Sequence, residues 1–364
     1  MQFGINFFPT VAPQEKSGAQ FYDEALALSE RADALGYSSI KIVEHYFNPY
    51  GGYSPDPVTF LAAVSQRTRR IRLITGAVIP AFNHPIKLAG KLAMLDNLSH
   101  GRLDVGFARA FLPIEFDAFQ VSMEESRARF EEGIAACVRL WTEENVVWRG
   151  RFYQFGPVTL LPRVYQRPHP PVWIAAVATP QSFEWAGQQG YHLMIVPYLS
   201  RHEDMQRLLQ LYRDAWRAAG HPPGAEQVQM SFHAYVCEDG AQARREARAY
   251  MDDYLAKFIQ AAAGWNTRVS DQYKGYEKTV EQLRAITYER VLADTKAFIG
   301  DPDEVAAQVR QIRDYYGAVE PSMQVTFGNM PYEHALRTLE LFAQHVMPRF
   351  QAQPAAAERG QPSP

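Results

Sequence analysis

The sequence predicts an α/β fold: a (β/α)8 barrel of the TIM type, with insertions before the fifth and eighth strands. Three observations carry this. Short apolar runs alternate with helix-period segments eight times along the 364 residues. The runs are apolar almost without interruption, which marks strands covered on both faces of a parallel sheet. The length exceeds the about 250 residues such a barrel needs, and the surplus gathers at 145 to 171 and at roughly 250 to 300. An open, doubly wound sheet is the alternative. It usually opens on a Gly-rich first turn, and none is present.

Each element follows from its local pattern. Phe3 to Phe8 is a short apolar strand. Phe21, Ala25, Leu28, Ala32 and Leu35 then recur at helical spacing, and Gly36 stands where a C-terminal cap belongs. Ser39 to Glu44 is a second strand, and Pro57 opens a helix over 57 to 69. Ile71 to Ile79 is a third strand, followed by a helix over 85 to 98 that Pro85 opens. Arg102 to Ala108 is a fourth, with a long amphipathic helix over 122 to 142. The stretch 145 to 171 reads as an inserted hairpin and a Pro-rich crossover. Val172 to Ala178, His192 to Pro197, Gln229 to Val236 and Met323 to Gly328 are strands five to eight. Helices follow them at 180 to 188, 202 to 218, from about 240, and at 332 to 346. Residues 1–350 make one domain. The tail 351–364, rich in Pro, Ala and Gln, is expected to be disordered.

Composition narrows the function. Hydrophobic residues make up 47%, enough for a sizeable core, and the net charge of −3 offers no case for nucleic acid or an anionic membrane. Cys137 and Cys237 are isolated, with no zinc or disulfide spacing. The first residues lack a signal-peptide pattern, and no apolar stretch is long enough to span a bilayer. A cytoplasmic location is expected.

In a barrel, chemistry gathers at the C-terminal ends of strands. Those ends carry Glu44-His45, Gly76-Ala77, Arg109, Ala178-Thr179 and His233 to Tyr235. No second carboxylate joins Glu44 as an acid/base pair, and no metal spacing is seen. His45 is a candidate for proton transfer, its alternative being a core histidine bonded to Glu44 or to backbone. Thr179 can cap a helix with Pro180 at its first position and Ser182 in its first turn. Free N–H groups there suit an anion. Arg109, and Arg127 at the start of the long helix, would turn this into a phosphate site; the alternatives are a plain cap and a solvated helix face. Gly264 to Gly275 mixes loop-formers with aromatics, as either an active-site cover or a surface loop.

From Met1 to about Phe350 the chain resembles the bacterial luciferase-like family of flavin-dependent monooxygenases. The resemblance rests on Phe3-Gly4, Gly36-Tyr37, Glu44-His45-Tyr46-Phe47, His84-Pro85, Leu95 through Gly106, Ser126-Arg127, and Ser182 through Ala186. It implies a barrel that binds FMN as FMNH2 supplied by a separate flavin reductase. O2 would react there to a flavin C4a-(hydro)peroxide that oxygenates a small organic substrate. It implies His45 as the catalytic histidine, with Arg109, Arg127, Thr179 and Ser182 on the FMN phosphate. Gly76-Ala77 would be a cis peptide behind the flavin ring, and the assembly a homodimer. Tyr46, Ala108 and Ala178 depart from the light-emitting members, which argues against light emission. A rival in the same fold is an F420-dependent hydride-transfer oxidoreductase. A second rival is a non-catalytic flavin-binding partner subunit.

Overall fold

The structure, a computed structural model, describes residues 1–351. The tail expected to be disordered lies, but for its first residue, outside the described residues. Eight parallel strands close into a barrel: β1 (Gly4–Phe7), β2 (Ser39–Ile42), β3 (Arg72–Thr75), β4 (Leu103–Phe107), β7 (Val172–Ala176), β8 (His192–Ile195), β9 (Val228–Val236) and β11 (Glu320–Thr326). The ring closes where Ser322 of β11 pairs with Gly4 of β1 and with Ser231 of β9. β5 (Val146–Arg149) and β6 (Gln154–Val158) form the antiparallel hairpin expected in the first insertion.

The helices start and stop where the residues say. Ser17 caps α1 (Gly18–Leu35) by accepting from the N–H of Gln20, and Gly36 ends it at φ 86°. Phe21, Ala25, Leu28 and Ala32 are its buried stripe. Asp56 caps α2 (Pro57–Arg67), and His84 caps α3 (Pro85–Leu98). α4 (Pro113–Ala118) is a single short piece, followed by α5 (Ser126–Thr142), then α6 (Pro180–Gln189), α7 (His202–Ala218) and α8 (Gly240–Ala262).

The Leu95–Gly106 motif turns out to be scaffold. Buried Asp96 accepts from the backbone N–H groups of Tyr165 and Gln166 and from the Gln166 amide, tying the first insertion to α3. Arg102 donates to Ser65, Thr68, Ile71 and Ser99. Neither lines the cavity described below.

The second insertion holds more than the sequence suggested. After α9 (Thr279–Arg284) and α10 (Tyr288–Ala293), a ninth parallel strand, β10 (Ala297–Gly300), pairs with the far end of β9 from His233 to Val236. It leads into α11 (Pro302–Tyr316), and α12 (Tyr332–Leu341) closes the fold. β10 escapes a sequence reading because its short apolar run lies within the stretch read whole as the second insertion. α11 did leave a signal: Asp301-Pro302-Asp303-Glu304 is a capping box with proline at the first position.

Candidate active site

The C-terminal ends of the barrel strands open into a cavity of about 830 Å³, toward the upper end of small-molecule sites. Its two sides differ in chemistry. On the β3–β4–β7 side the lining is small: Gly76, Ala77, Ala108, Ala175 and Ala176. The Gly76–Ala77 peptide is cis. A Cβ on Gly76 would stand 2.0 Å from Cγ of Lys41, so only glycine fits over that stem. On the opposite side, Phe8, Tyr50, Tyr198, His233, Tyr254 and Phe258 make an aromatic wall.

The small-residue side ends in a cluster of positive groups. Arg109, just beyond β4, donates from Nη2 to Ser126 Oγ at 2.8 Å and to the Gln272 carbonyl at 3.0 Å. Its buried Nε has no partner among the described residues. Arg127 reaches Ser182 Oγ at 3.4 Å, and burial, then the neighbouring Arg109, push its pKa down. Arg127 also has the more exposed Glu131 at 3.6 Å, and two half-buried guanidiniums side by side still favour an anion between them. Thr179 stands at the N-cap of α6, yet its side chain makes no capping bond, contrary to the expectation from sequence. Its hydroxyl is therefore uncommitted, beside a helix start with Pro180 in its first turn. Arg109, Arg127, Thr179 and Ser182 are thus brought together, and all but Ser182 line the cavity.

The segment expected as a cover or a surface loop lies docked over this cluster. Trp265 and Tyr273 are buried, and with Tyr276 they make a three-ring contact against Phe111. The Tyr273 hydroxyl donates to the Ala110 carbonyl at 2.5 Å, and the Arg109 guanidinium lies 4.5 Å from the Tyr273 ring centre.

His45 lies at the edge of the aromatic wall, 5.4 Å from the Phe8 ring and 5.8 Å from Tyr50, centre to centre. Gly51, at φ 88°, leaves room for it: a Cβ there would come within 2.6 Å of its Cβ. The sequence offered Glu44 or backbone as a partner for His45, and the Glu44 pairing needs correcting. Glu44 does not orient His45; it accepts from the Tyr46 hydroxyl at 2.7 Å, the Ile79 N–H at 3.0 Å and the Asn83 amide at 3.3 Å. Burial pushes its pKa up to about 7, although the Tyr46 and Ile79 donors pull the other way. The carboxylate on His45 is Glu115, fully buried in the first turn of α4. Its Oε1 lies 2.9 Å from Nδ1 and also accepts from the Tyr46 N–H at 3.0 Å. Facing a carboxylate, Nδ1 carries the hydrogen, and Nε2 is the nitrogen without a protein partner. Sequence reasoning missed Glu115 because nothing in local spacing relates residue 115 to residue 45. The Pro113 helix start was the one available signal.

On the floor, Lys41 donates to Ser231 at 3.0 Å; burial lowers its pKa to about 7, against the pull of Glu320. Asn6 and Gln324 line the same level, each with one buried polar atom lacking a partner among the described residues.

Comparison with known proteins places this geometry among relatives. A family profile described as luciferase-like monooxygenase matches residues 1–318. The oxygenase component of a flavin-dependent trigonelline monooxygenase from Acinetobacter baylyi is 30% identical over 356 residues, 96% of each chain. The crystal structure of the monooxygenase RslO1 from Streptomyces bottropensis is 51% identical with a TM-score of 0.85, covering 96% of this chain and 100% of that one. The oxygenating constituent of 3,6-diketocamphane monooxygenase from Pseudomonas putida, a type II Baeyer–Villiger enzyme in complex with FMN, shares the fold. It has a TM-score of 0.80 at 19% identity, over 96% of this chain and 98% of that one.

Proposed function

The chain belongs to the luciferase-like monooxygenase family, a flavin-dependent oxidoreductase family, and from that premise we propose that it is the FMNH2-dependent oxygenase of a two-component system. A separate flavin reductase would supply FMNH2; "oxygenase component" in the name of the Acinetobacter relative supports that division. The observation that carries the reading is the anion corner. Arg109 with an unpartnered Nε, Arg127, the uncommitted Thr179 hydroxyl and the start of α6 fit a phosphate. The adjoining wall of glycine and alanine leaves a flat ring system room beside it. Reduced FMN, when bound, supplies the electrons that let one atom of O2 enter the substrate and the other leave as water.

The residues do the rest. Arg109 and Arg127 hold the phosphate and fix where the ring lies. Glu115 holds the Nδ1 hydrogen of His45, so Nε2 takes or returns a proton at the reacting oxygen. The aromatic wall and the docked 264–276 segment keep water out, which protects a reactive oxygen species from wasteful loss as H2O2. The buried His45–Glu115 pair favours an enzyme over a non-catalytic flavin carrier.

The test is a comparison of FMN, riboflavin and F420 by equilibrium binding, followed by turnover with reduced FMN and O2. FMN should bind more tightly than riboflavin by roughly the worth of charge-assisted bonds, tenfold or more. Tighter binding of F420, or hydride transfer without O2 uptake, would move the chain to the F420-dependent class.

A further inference from the structure

The aromatic side of the cavity has chemistry of its own. Tyr254 bonds Tyr198 hydroxyl to hydroxyl at 2.7 Å and Tyr50 at 3.4 Å. All three tyrosines line the cavity, and their hydroxyls bond only one another among the described residues. Three hydroxyls carry three protons, and only the Tyr254–Tyr198 link is a short bond; the Tyr50 contact is long for O–H···O. A substrate oxygen in the cavity therefore offers a better acceptor than the phenols offer one another. Burial raises the pKa of all three phenols, so they stay protonated at any physiological pH.

His233 stands beside this chain, its ring 4.3 Å from Tyr254 and 5.6 Å from Tyr198. It is 3% exposed, and its Nε2 is buried without a partner among the described residues. Burial lowers its pKa to about 3, so it is the neutral imidazole, with one donor and one acceptor. A buried nitrogen without a partner is costly unless something bonds it, and the His233 ring is part of the cavity lining. Flat surfaces complete the wall. Tyr50 and Phe258 stack at 4.3 Å and 6°, and Phe8 lies 4.4 Å from Tyr50.

Formal charge is withheld from this side. Glu115 is turned to His45 and Tyr46 and is not on the cavity surface. Glu44 is held by three donors, and Lys41 is bonded to Ser231 on the floor. Both arginines lie at the opposite end with the anion corner. Asp271 and Lys274 also line the cavity, but on the 264–276 segment over the anion corner, 3.8 Å from each other. Among the described residues, a carboxylate substrate would find no free cation on the aromatic wall, and a cation no free carboxylate.

From this we infer that the substrate is an uncharged, flat aromatic or polycyclic compound, recognised by a hydroxyl or carbonyl oxygen seated between the Tyr50–Tyr254–Tyr198 hydroxyl chain and His233. This rests on reading the small-residue side as the flavin seat, and it deepens that reading by giving the other side its occupant. The chain donates a hydroxyl proton to the substrate oxygen. His233 either donates a second bond or accepts the substrate's own hydroxyl proton. The aromatic rings sandwich the ring plane, beside the histidine that handles the proton.

The experiment uses four probes on one bicyclic scaffold: 2-naphthol, naphthalene, 2-naphthoate and N-methylquinolinium. Each is titrated calorimetrically into the full-length protein, with and without FMN. The expected order places 2-naphthol first, about three- to tenfold tighter than naphthalene, the worth of one or two neutral hydrogen bonds. Tyr254→Phe should erase most of that preference while leaving naphthalene binding and FMN affinity as they were. Tyr198→Phe should do the same to a smaller degree, since Tyr50 and Tyr254 still share a proton. Tightest binding by the naphthoate or the quinolinium would overturn the inference. So would equal binding of naphthol and naphthalene, a preference that survives both variants, or no binding by any probe. Because the titration without FMN does not involve turnover, its failure is separable from failure of the flavin reading, which the FMN and F420 comparison tests.

Discussion

The two sides of the cavity are built by opposite means. The anion corner uses charge carried at helix starts: Arg127 on the first turn of α5, Thr179 and Ser182 at the start of α6, and Arg109 just beyond β4. The aromatic wall uses neutral side chains from five separate places: the end of β1, the loop after β2, the turn after β8, the interior of β9 and the middle of α8. A phosphate is the same in every flavin nucleotide, so a compact, local device serves it. A substrate differs from one relative to the next, and a wall assembled from distant positions can be retuned one residue at a time. On the proposed reading, the comparison separates what would hold the cofactor from what would set this chain's own specificity.

The largest expected effect lies where the two sides meet, at His45. His45→Gln keeps a donor to Glu115 but removes the group that exchanges protons. Product formation should fall by roughly a hundredfold or more, the ordinary worth of a general acid or base. FMN affinity should stay within about twofold, since charge-assisted bonds to the phosphate are untouched. Flavin oxidation should continue with H2O2 as its main product. Measuring product and H2O2 per flavin oxidised decides the matter. A variant that couples normally but unfolds at lower temperature would make His45 a packing residue.

Next comes Arg109→Ala. Losing a charge-assisted bond costs about 1.5–3 kcal/mol, so FMN should bind roughly ten- to a hundredfold more weakly. Riboflavin, lacking the phosphate, should be nearly indifferent. Equal losses for both flavins would mean that Arg109 only pins the 264–276 segment through Gln272 and Tyr273.

The same contrast explains what the sequence discloses. Thr179-Pro180-Gln181-Ser182 is a strand end running into a helix start, a local pattern with a mechanism. The eight strands were legible because each is a short apolar run with a turn signal behind it. Glu115 was not, because its partner is 70 residues away in the chain. The Tyr50–Tyr254 contact spans 204 residues, and neither residue is unusual in its own segment. β10 failed for another reason: its short apolar run lies within a stretch read whole as an insertion. Glu44 misled for a third, since adjacency in sequence suggested a pair, whereas beyond the end of β2 Glu44 bonds Tyr46, Ile79 and Asn83 and His45 meets Glu115.

The seam between the two sides can be probed at Lys41. In the fold its pKa is about 7 against 10.5 when free. Between those values the unfolded chain binds more protons than the folded one, so stability rises with pH across that interval. Glu44 acts with the opposite sign and lower down: raised from 4.5 to about 7, it makes stability fall as pH climbs through that window. Lys41→Met removes the first slope and leaves the second. The variant should melt at a higher temperature than the parent at pH 7, by a few degrees, with its advantage shrinking steadily toward pH 10.5. An advantage independent of pH would show that Lys41 is not held near neutrality in the fold, and that the floor is more polar than its burial suggests.

The smallest effect concerns the roof over the anion corner. Arg109 grips the 264–276 segment from Nη2, through the Gln272 carbonyl, while its Nε is left without a partner. A phosphate can therefore engage Nε without releasing the segment. Binding would immobilise the guanidinium and, through it, the segment it holds. Two trypsin sites report on this. Lys274 is 80% exposed at its side chain, and Arg268 is held to Asp117 by a 2.6 Å ion pair. FMN should slow cleavage at both by on the order of threefold to tenfold, the worth of one hydrogen bond made firmer. Riboflavin should protect much less, because it lacks the group that engages Arg109. Filling the aromatic wall alone with 2-naphthol should change little, since neither site touches that side. Protection by naphthol equal to that by FMN would show the two sides moving as one body, and the division drawn between them would then hold for chemistry but not for motion.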